Sequence, residues 1–188
     1  MTEDRGLLFT AGALAARALA PVDVPLLQCF FDANPEYFHS VNGEAPAPEE
    51  AAREYADLPP AEMPFTGRWV VGFFAADDRM AGMAHVLGNF LAPRVWHIGL
   101  YIIASRLHGT GAAHDAYRHL EAWMHGQGAR WIRLGVVQGN AKPERFWRRL
   151  GYRQVRERSG IAMGRRVNTV RVMVKPLVVK ELLGVIRG

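Results

Sequence analysis

Two glycines lie close together where an apolar stretch gives way to a helical pattern. Gly109 and Gly111 fall in the segment SRLHGTGAAHDAYRHLEAW, which follows the apolar stretch VWHIGLYIIA. A strand that runs into a glycine-rich turn and then a helix presents backbone N–H groups to a ligand, and the helix dipole favours negative charge there. The pattern therefore indicates an anion site, although the glycines alone are also compatible with a helix that simply begins with glycine.

The turn does not match either common phosphate motif. No Lys-Ser or Lys-Thr pair follows the glycines, which excludes a P-loop, and HGTGAA lacks the spacing of the dinucleotide-binding fingerprint. The histidines outside this region show no metal-ligand spacing, so no metal site is predicted.

The flanking patterns predict the elements that position this turn. A strand is expected over residues 14–20, followed by a helix over residues 22–33 that breaks at Asn34-Pro35. A second helix lies in APAPEEAAREYADLPP, where the acidic residues favour its N-terminal half. Three strands, the helix that begins near Gly111, a strand, a short helix and two strands complete the order. This order predicts a mixed α/β sheet.

Length and composition limit the class of protein. The 188 residues suit one domain, and 49% hydrophobic with 22% charged residues is a folded, globular composition. No apolar run reaches the roughly 20 residues of a membrane span. The single Cys29 allows no internal disulfide, which fits a cytoplasmic protein. Residues 1–13 are expected to form a flexible lead rather than a signal peptide, because acidic TED precedes the apolar stretch.

Charge is distributed unevenly along the chain. Residues 32–62 hold eight acids against one arginine, whereas residues 140–188 hold thirteen Lys or Arg against three acids. The basic part is compatible with nucleic acid, with a phosphate-rich cofactor or with a solvated surface. Because no helix-turn-helix or aromatic-interleaved basic motif accompanies it, a nucleic-acid partner is not expected, and neither is a membrane.

The segment HGTGAAHDAYRHLEAWMHGQGARWIRLGVVQGNAKPERFWRRLGY resembles the GNAT acetyltransferase superfamily. That family's phosphate turn reads Arg/Gln-x-x-Gly-x-Gly/Ala, and His108, Gly111 and Ala113 fill the pattern. The family then has an Asn and a short helix ending in aromatic-x-x-x-Gly-aromatic, filled here by Asn140, Trp147, Gly151 and Tyr152. The resemblance covers residues 14–177. It implies a GNAT fold, a mixed and mostly antiparallel sheet of about six to seven strands with splayed fourth and fifth strands and about four helices.

The resemblance also implies acetyl-coenzyme A as the co-substrate, without a metal. The pantetheine arm would lie where the fourth and fifth strands separate, and the pyrophosphate would bind the N–H groups of residues 108–113. The residues implied in binding coenzyme A are Tyr101, Ile103, His108, Gly109, Thr110, Gly111, Ala112, Ala113, Asn140, Phe146 and Trp147.

Acetyl transfer to an amine requires a group that takes the amine proton and one that protonates the thiolate. His97 stands where the family commonly has a Glu base, and it is equally compatible with a buried histidine held by a backbone carbonyl. Trp147 occupies the position of the family's usual Tyr acid, and an indole N–H is not an acid. Tyr152 is the substitute acid, although packing explains it as well. A thiol with a pKa of about 8.5 also leaves tolerably as the thiolate.

In this family the first two helices form one wall of the acceptor cleft, and here that segment is acidic. A small cationic amine is therefore the favoured acceptor, a protein amine being the other, and the candidate contacts are Asp32, Glu36 and His85. The alternative function is an acyl-coenzyme A sensor or partner-binding module without turnover, which Trp147 favours. Residues 178–188 are expected to form a tail with one apolar helical face that docks on its own domain or in a homodimer.

Overall fold

The computed structural model describes residues 6–177, which form eight strands and five α-helices. The predicted tail over residues 178–188 lies outside the described residues. The strands are β1 Leu7–Ala11, β2 Leu14–Ala18, β3 Gly67–Phe74, β4 Met80–Gly88, β5 Val95–Ile103, β6 Trp131–Val137, β7 Arg153–Met163 and β8 Arg166–Pro176. The helices are α1 Val24–Ala33, α2 Glu36–Val41, α3 Glu50–Ala56, α4 Ala112–Gly126 and α5 Ala141–Arg149, with 3-10 turns at Pro21–Asp23 and Ser105–Leu107.

All eight strands form one sheet in the order β1-β2-β3-β4-β5-β6-β8-β7. Every neighbouring pair is antiparallel except β5 and β6, which are parallel. The predicted mixed, mostly antiparallel α/β sheet is thus confirmed, with slightly more strands and one more helix than expected. The fourth and fifth strands of the sequence prediction are β5 and β6, because β1 adds a strand at the start.

The expectation of a flexible lead over residues 1–13 is wrong for β1. Leu7–Ala11 pairs antiparallel with β2 through a tight turn in which Gly12 has a φ of 58°. The ring of Phe9 lies 5.8 Å from that of Trp123 on α4, so β1 also packs on a helix. Five residues without a clear apolar alternation carry too little pattern to distinguish this edge strand from a lead.

Both faces of the sheet are buried under helices. Leu27 and Phe31 of α1 pack on one face, and Tyr117, Leu120 and Met124 of α4 pack on the other. β3 alternates between these layers, and every residue of β4 is buried. A strand covered on both faces reads as a near-continuous apolar run, which is why β3 and β4 were recognisable in the sequence.

The predicted break between the first helices is confirmed and has a structural role. α1 ends at Ala33, and Asn34 is buried with its Nδ2 donating a hydrogen bond of 2.8 Å to the Phe30 carbonyl. Its Oδ1 accepts one of 2.7 Å from the Ser105 N–H. The break therefore fixes the position of the chain just beyond β5, where the glycine turn begins. No helix within residues 6–177 is both long and apolar enough to cross a membrane.

Candidate active site

The parallel strands β5 and β6 separate halfway along their length. Their pairing runs from Val95 opposite Trp131 to Ile98 opposite Leu134 and then stops. β5 continues to Ile103 against β4 alone, while β6 stays paired with β8. The freed edge of β5 can therefore bond an extended ligand through its backbone N–H and C=O groups, as an added strand would. The predicted splay is thus present.

A cleft of about 270 Å³ opens at this separation, and we call it the long cleft. Residues 97–101 of β5 and residues 133–137 of β6 form its floor. Tyr37, Asn140, Trp147 and Arg158 are among the side chains of its walls. The Asn140 Nδ2 donates a hydrogen bond of 2.8 Å to the Ser40 hydroxyl, which joins the start of α5 to the end of α2 across one wall.

The glycine turn follows directly at the end of β5. Gly109 and Gly111 have φ values of 79° and 90°, and a side chain at either position would meet no other atom within 4 Å. The glycines are thus required by backbone conformation, and the space beside them is open. The His108 Nε2 donates a hydrogen bond of 2.9 Å to the Ile103 carbonyl, and the Thr110 hydroxyl donates one of 2.7 Å to the Leu107 carbonyl.

The start of α4 presents free donors to this open space. Among residues 6–177, no acceptor bonds the backbone N–H groups of Gly109, Gly111, Ala113 or His114. The Ala112 N–H makes only a long contact of 3.3 Å with the Thr110 hydroxyl. Several N–H groups at the positive end of a fifteen-residue helix can bind a phosphate.

Aromatic side chains hold the turn, β5 and α5 together. The Tyr101 hydroxyl donates a hydrogen bond of 2.7 Å to the Ala113 carbonyl, and burial raises the pKa of this phenol, as does the charge of Asp115. The Tyr101 ring stacks on Phe146 at 6.2 Å and meets Trp147 edge-on at 5.6 Å. Tyr101 and Trp147 line the long cleft, whereas Phe146 supports them from behind and Ile103 contributes only backbone at the strand end.

His97 lies where the long cleft meets a second cavity. Its Nδ1 lies 3.0 Å from the Arg133 carbonyl, which can only accept, and 3.2 Å from the Arg133 Nη1, which can only donate, so these two contacts together fit either neutral tautomer. The ring stacks on Phe90 at 4.8 Å. Burial and the neighbouring Arg133 charge lower the pKa of His97 to about 3. His97 is therefore a neutral imidazole at physiological pH.

The second cavity, of about 200 Å³, is called the side cavity here. His97, Gly99, Arg133 and Arg158 line both cavities, so the two spaces are contiguous. The other side chains that line the side cavity include Glu54, Asp57, His85 and Phe90.

A buried hydrogen-bonded chain forms one side of this cavity. The His85 Nε2 lies 3.2 Å from the Arg68 Nε–H and accepts from it, so His85 Nδ1 donates to Glu54 Oε1 at 2.7 Å. His85 is 5% exposed, and the Arg68 guanidinium also donates to the Tyr55 carbonyl. The arrangement fixes the Glu54 carboxylate at the cavity edge with one oxygen occupied.

Three of the residues predicted for catalysis or acceptor binding line neither cavity. The Tyr152 hydroxyl is buried and hydrogen-bonded at 2.9 Å to the Tyr117 hydroxyl, and burial raises its pKa. The Asp32 carboxylate accepts a hydrogen bond from Gln28, and the Glu36 carboxylate accepts one of 2.6 Å from the Ser105 hydroxyl. Of the predicted acceptor contacts, the structure brings only His85 to the site.

Sequence reasoning missed four charged residues that line the side cavity. Glu54 and Asp57 belong to the acidic segment, where helix N-terminal charge explained them equally well. Arg133 and Arg158 belong to the basic part of the chain, and neither stood out among its many cations. The available signal was Arg133 inside the otherwise apolar strand WIRLGVV, where a charged residue requires a reason. Among residues 6–177, no group of three potential ligands could hold a metal ion.

The chain is similar to known proteins in both its sequence and its fold. Residues 27–152 match the model of the acetyltransferase (GNAT) family. An acetyltransferase structure from Thermus thermophilus is 24% identical, covers 91% of this chain and 99% of its own, and has a TM-score of 0.67.

Two further structures show the same fold at lower identity. A GCN5-related N-acetyltransferase from Kribbella flavida is 22% identical over 89% of this chain and 100% of its own, with a TM-score of 0.63. A Vibrio cholerae spermidine N-acetyltransferase in complex with CoA and spermine is 18% identical over 88% of this chain and 96% of its own, with a TM-score of 0.65. A search of curated protein sequences found no match.

Proposed function

Because this chain belongs to the GNAT acetyltransferase family, we propose that it transfers the acetyl group of acetyl-coenzyme A to the nitrogen of an amine. The observation that carries the proposal is the loss of β5–β6 pairing after Ile98, together with a glycine turn beyond the end of β5 in which several backbone N–H groups are free. The freed edge of β5 and the start of α4 would then bind two parts of the same molecule, acetyl-coenzyme A. The Vibrio cholerae relative, whose structure was solved in complex with CoA, supports coenzyme A as the co-substrate.

The co-substrate would lie along the freed edge of β5. Its amide-bearing pantetheine arm would bond the backbone between Gly99 and Tyr101, with Asn140 and Trp147 on the opposite wall. Its pyrophosphate would bind the N–H groups from Gly109 to His114. This orientation brings the thioester to the junction of the long cleft and the side cavity, beside His97.

The acceptor amine would occupy the side cavity. Glu54 and Asp57 at its edge favour a group that arrives as an ammonium ion. The ammonium first loses one proton to water. The neutral amine nitrogen then attacks the thioester carbonyl carbon, a C–N bond forms, the C–S bond breaks, and the thiolate leaves. The nitrogen gives up one proton during this exchange.

His97 and Glu54 have different roles toward that amine: His97 orients it, and Glu54 accepts its proton. In the tautomer whose Nδ1 proton is donated to the Arg133 carbonyl, the Nε2 lone pair of the neutral His97 can accept a hydrogen bond from the amine and orient it. Its pKa of about 3 makes the imidazolium unfavourable, so His97 is a poor place to hold the proton. We therefore assign the proton to the Glu54 carboxylate, whose other oxygen is held by His85.

The leaving thiolate needs no acid from the predicted candidates. Trp147 lines the long cleft but cannot donate a proton as an acid, and Tyr152 lies in neither cavity. Since a thiol has a pKa of about 8.5, the thiolate can leave and take its proton from water. The same Trp147 favours the alternative function, a sensor that binds acyl-coenzyme A without turnover.

Thiol release from acetyl-coenzyme A in the presence of an amine panel tests the proposal. We expect amine-dependent release by the wild type, and a large loss of kcat for Glu54→Gln, which keeps the size but not the charge. Glu49→Gln makes the same change at an exposed carboxylate that pairs with Arg53 and lines neither cavity, so it should leave turnover intact and is the control. Calorimetry that finds coenzyme A binding together with no release for any amine would reject transfer and select the sensor.

A further inference from the structure

Two arginines line the side cavity, and the charge of a third acts on one of them. Arg133 and Arg158 line the cavity, and the charges of Arg156 and Arg158 both act on Arg133 and lower its pKa together with burial. Among residues 6–177, none of the three forms an ion pair with a carboxylate. The guanidinium groups of these arginines are therefore not paired directly with a carboxylate of the described residues.

The arginine arrangement is held in place by the fold. The Arg133 guanidinium lies over the Phe90 ring at 5.3 Å and is half-buried. The pairing of β7 with β8 is irregular between Arg158 and Ile161, and such bulges redirect side chains near functional sites. Burying a charge without a counterion is costly, so the half-buried guanidinium of Arg133 indicates that an anionic ligand binds beside it.

The phosphates of coenzyme A cannot supply this anion. Arg133 is paired with His97 in the sheet, and His97 is six residue steps along β5 from Ile103, the strand end that precedes the phosphate turn. At about 3.3 Å per residue, the two sites lie roughly 20 Å apart along the strand. The arginines are thus at the acceptor end of the long cleft.

The lining of the side cavity carries both signs of charge. Glu54 and Asp57 contribute negative charge, and Arg133 and Arg158 contribute positive charge. Its volume of about 200 Å³ suits a small molecule rather than a long polyamine. A ligand that pairs with both the carboxylates and the arginines carries an ammonium group and an anionic group a short distance apart.

We propose that the acceptor is a small amine that bears a carboxylate, an amino acid in chemical class, with the carboxylate bound by Arg158 and Arg133. The planar guanidinium fork matches a carboxylate in two parallel hydrogen bonds. The inference rests on the proposed acetyl transfer, and it replaces the purely cationic acceptor that the acidic segment alone suggested.

Matched acceptors test the inference. The kcat/KM for thiol release is compared among L-amino acids, their α-carboxamides and the corresponding amines that lack the carboxylate. We expect the amino acid to be preferred by about 10- to 100-fold, the usual range for a charged hydrogen-bonded group. Arg158→Gln should remove most of this preference, mainly through KM, while melting confirms that the variant is folded.

Arg153→Gln is the control, because Arg153 lies on the same strand, is exposed and lines neither cavity. It should keep the preference. Equal or better turnover of the amines without a carboxylate, or an unchanged preference in Arg158→Gln, overturns the inference and leaves acetyl transfer standing. If no amine is turned over, calorimetry on the coenzyme A-bound protein separates the two proposals: binding of amino acids that depends on Arg158 keeps the carboxylate site, and no such binding rejects it.

Discussion

Replacement of Gly111 by valine separates the ligand function of the glycine turn from its role in folding. Gly111 has a φ of 90°, and a left-handed conformation costs an L-residue about 1–2 kcal/mol. No atom lies within 4 Å of the added Cβ, so the variant meets strain but no clash. In a chain of this size, we expect the melting temperature to fall by roughly 2–8 °C with the fold preserved.

The expected effect on coenzyme A binding is much larger than the effect on the fold. The valine methyl groups would occupy the open space in front of the N–H groups of Gly109, Ala113 and His114. A hydrogen bond to a charged group contributes about 1.5–3 kcal/mol. Loss of a single phosphate contact therefore weakens binding about 10- to 150-fold, and loss of two weakens it further.

Calorimetric titration with coenzyme A measures this effect, and Gly128→Val is the matched control. Gly128 follows the opposite end of α4, has a φ of 102° and also has no atom within 4 Å of an added Cβ. It should cost similar stability and leave the affinity unchanged. Wild-type affinity in Gly111→Val, or an equal loss of affinity in both variants, would refute the phosphate-turn assignment.

The remaining predictions concern individual side chains. Tyr152→Phe should lower stability by about 1 kcal/mol through the lost hydrogen bond to Tyr117 and leave kcat unchanged; a large fall in kcat by steady-state kinetics would restore Tyr152 as an acid. The fold lowers the pKa of His97 to about 3, against about 6.5 in the unfolded chain. Between pH 6.5 and pH 3, therefore, the unfolded chain binds a proton at His97 and the folded chain does not, so the free energy of unfolding falls as the pH falls. Denaturant unfolding should therefore show wild type losing stability relative to His97→Gln from pH 7 to pH 5, and a constant difference would contradict the shift. Because His97 stays neutral, the acidic limb of kcat/KM near neutral pH should keep its position in His97→Gln, and a displaced limb would make His97 the base.

The fold was largely predictable because its signals are local. The two apolar strands β3 and β4, the stripe on α4 and the Asn34-Pro35 break each lie within a short window. β1 was missed because an edge strand of five residues depends on its pairing with β2 and on its contact with Trp123, which are not visible in its own sequence.

The two halves of the site differed in how far they could be predicted. The phosphate turn is one continuous segment whose glycines are required by backbone conformation, so its position follows from the sequence. The side cavity is assembled from α3, β4, β5, β6 and β7, and its charged side chains are selected by tertiary packing from many similar residues. Glu54 becomes distinctive only through His85, and Arg133 only through His97 and the arginines of β7.

Transfer of the acetyl group to an amine is tested best by following the acetyl carbonyl carbon itself. Acetyl-coenzyme A labelled with ¹³C at the carbonyl is mixed with the protein and an amino acid, and the carbonyl carbon is followed by NMR. If the acetyl group is transferred to the amine, the thioester signal is replaced by an amide signal at the rate of thiol release. Gly111→Val should abolish this conversion when the co-substrate concentration is limiting. A thioester signal that persists, or one that is replaced by free acetate alone, would contradict acetyl transfer to an amine.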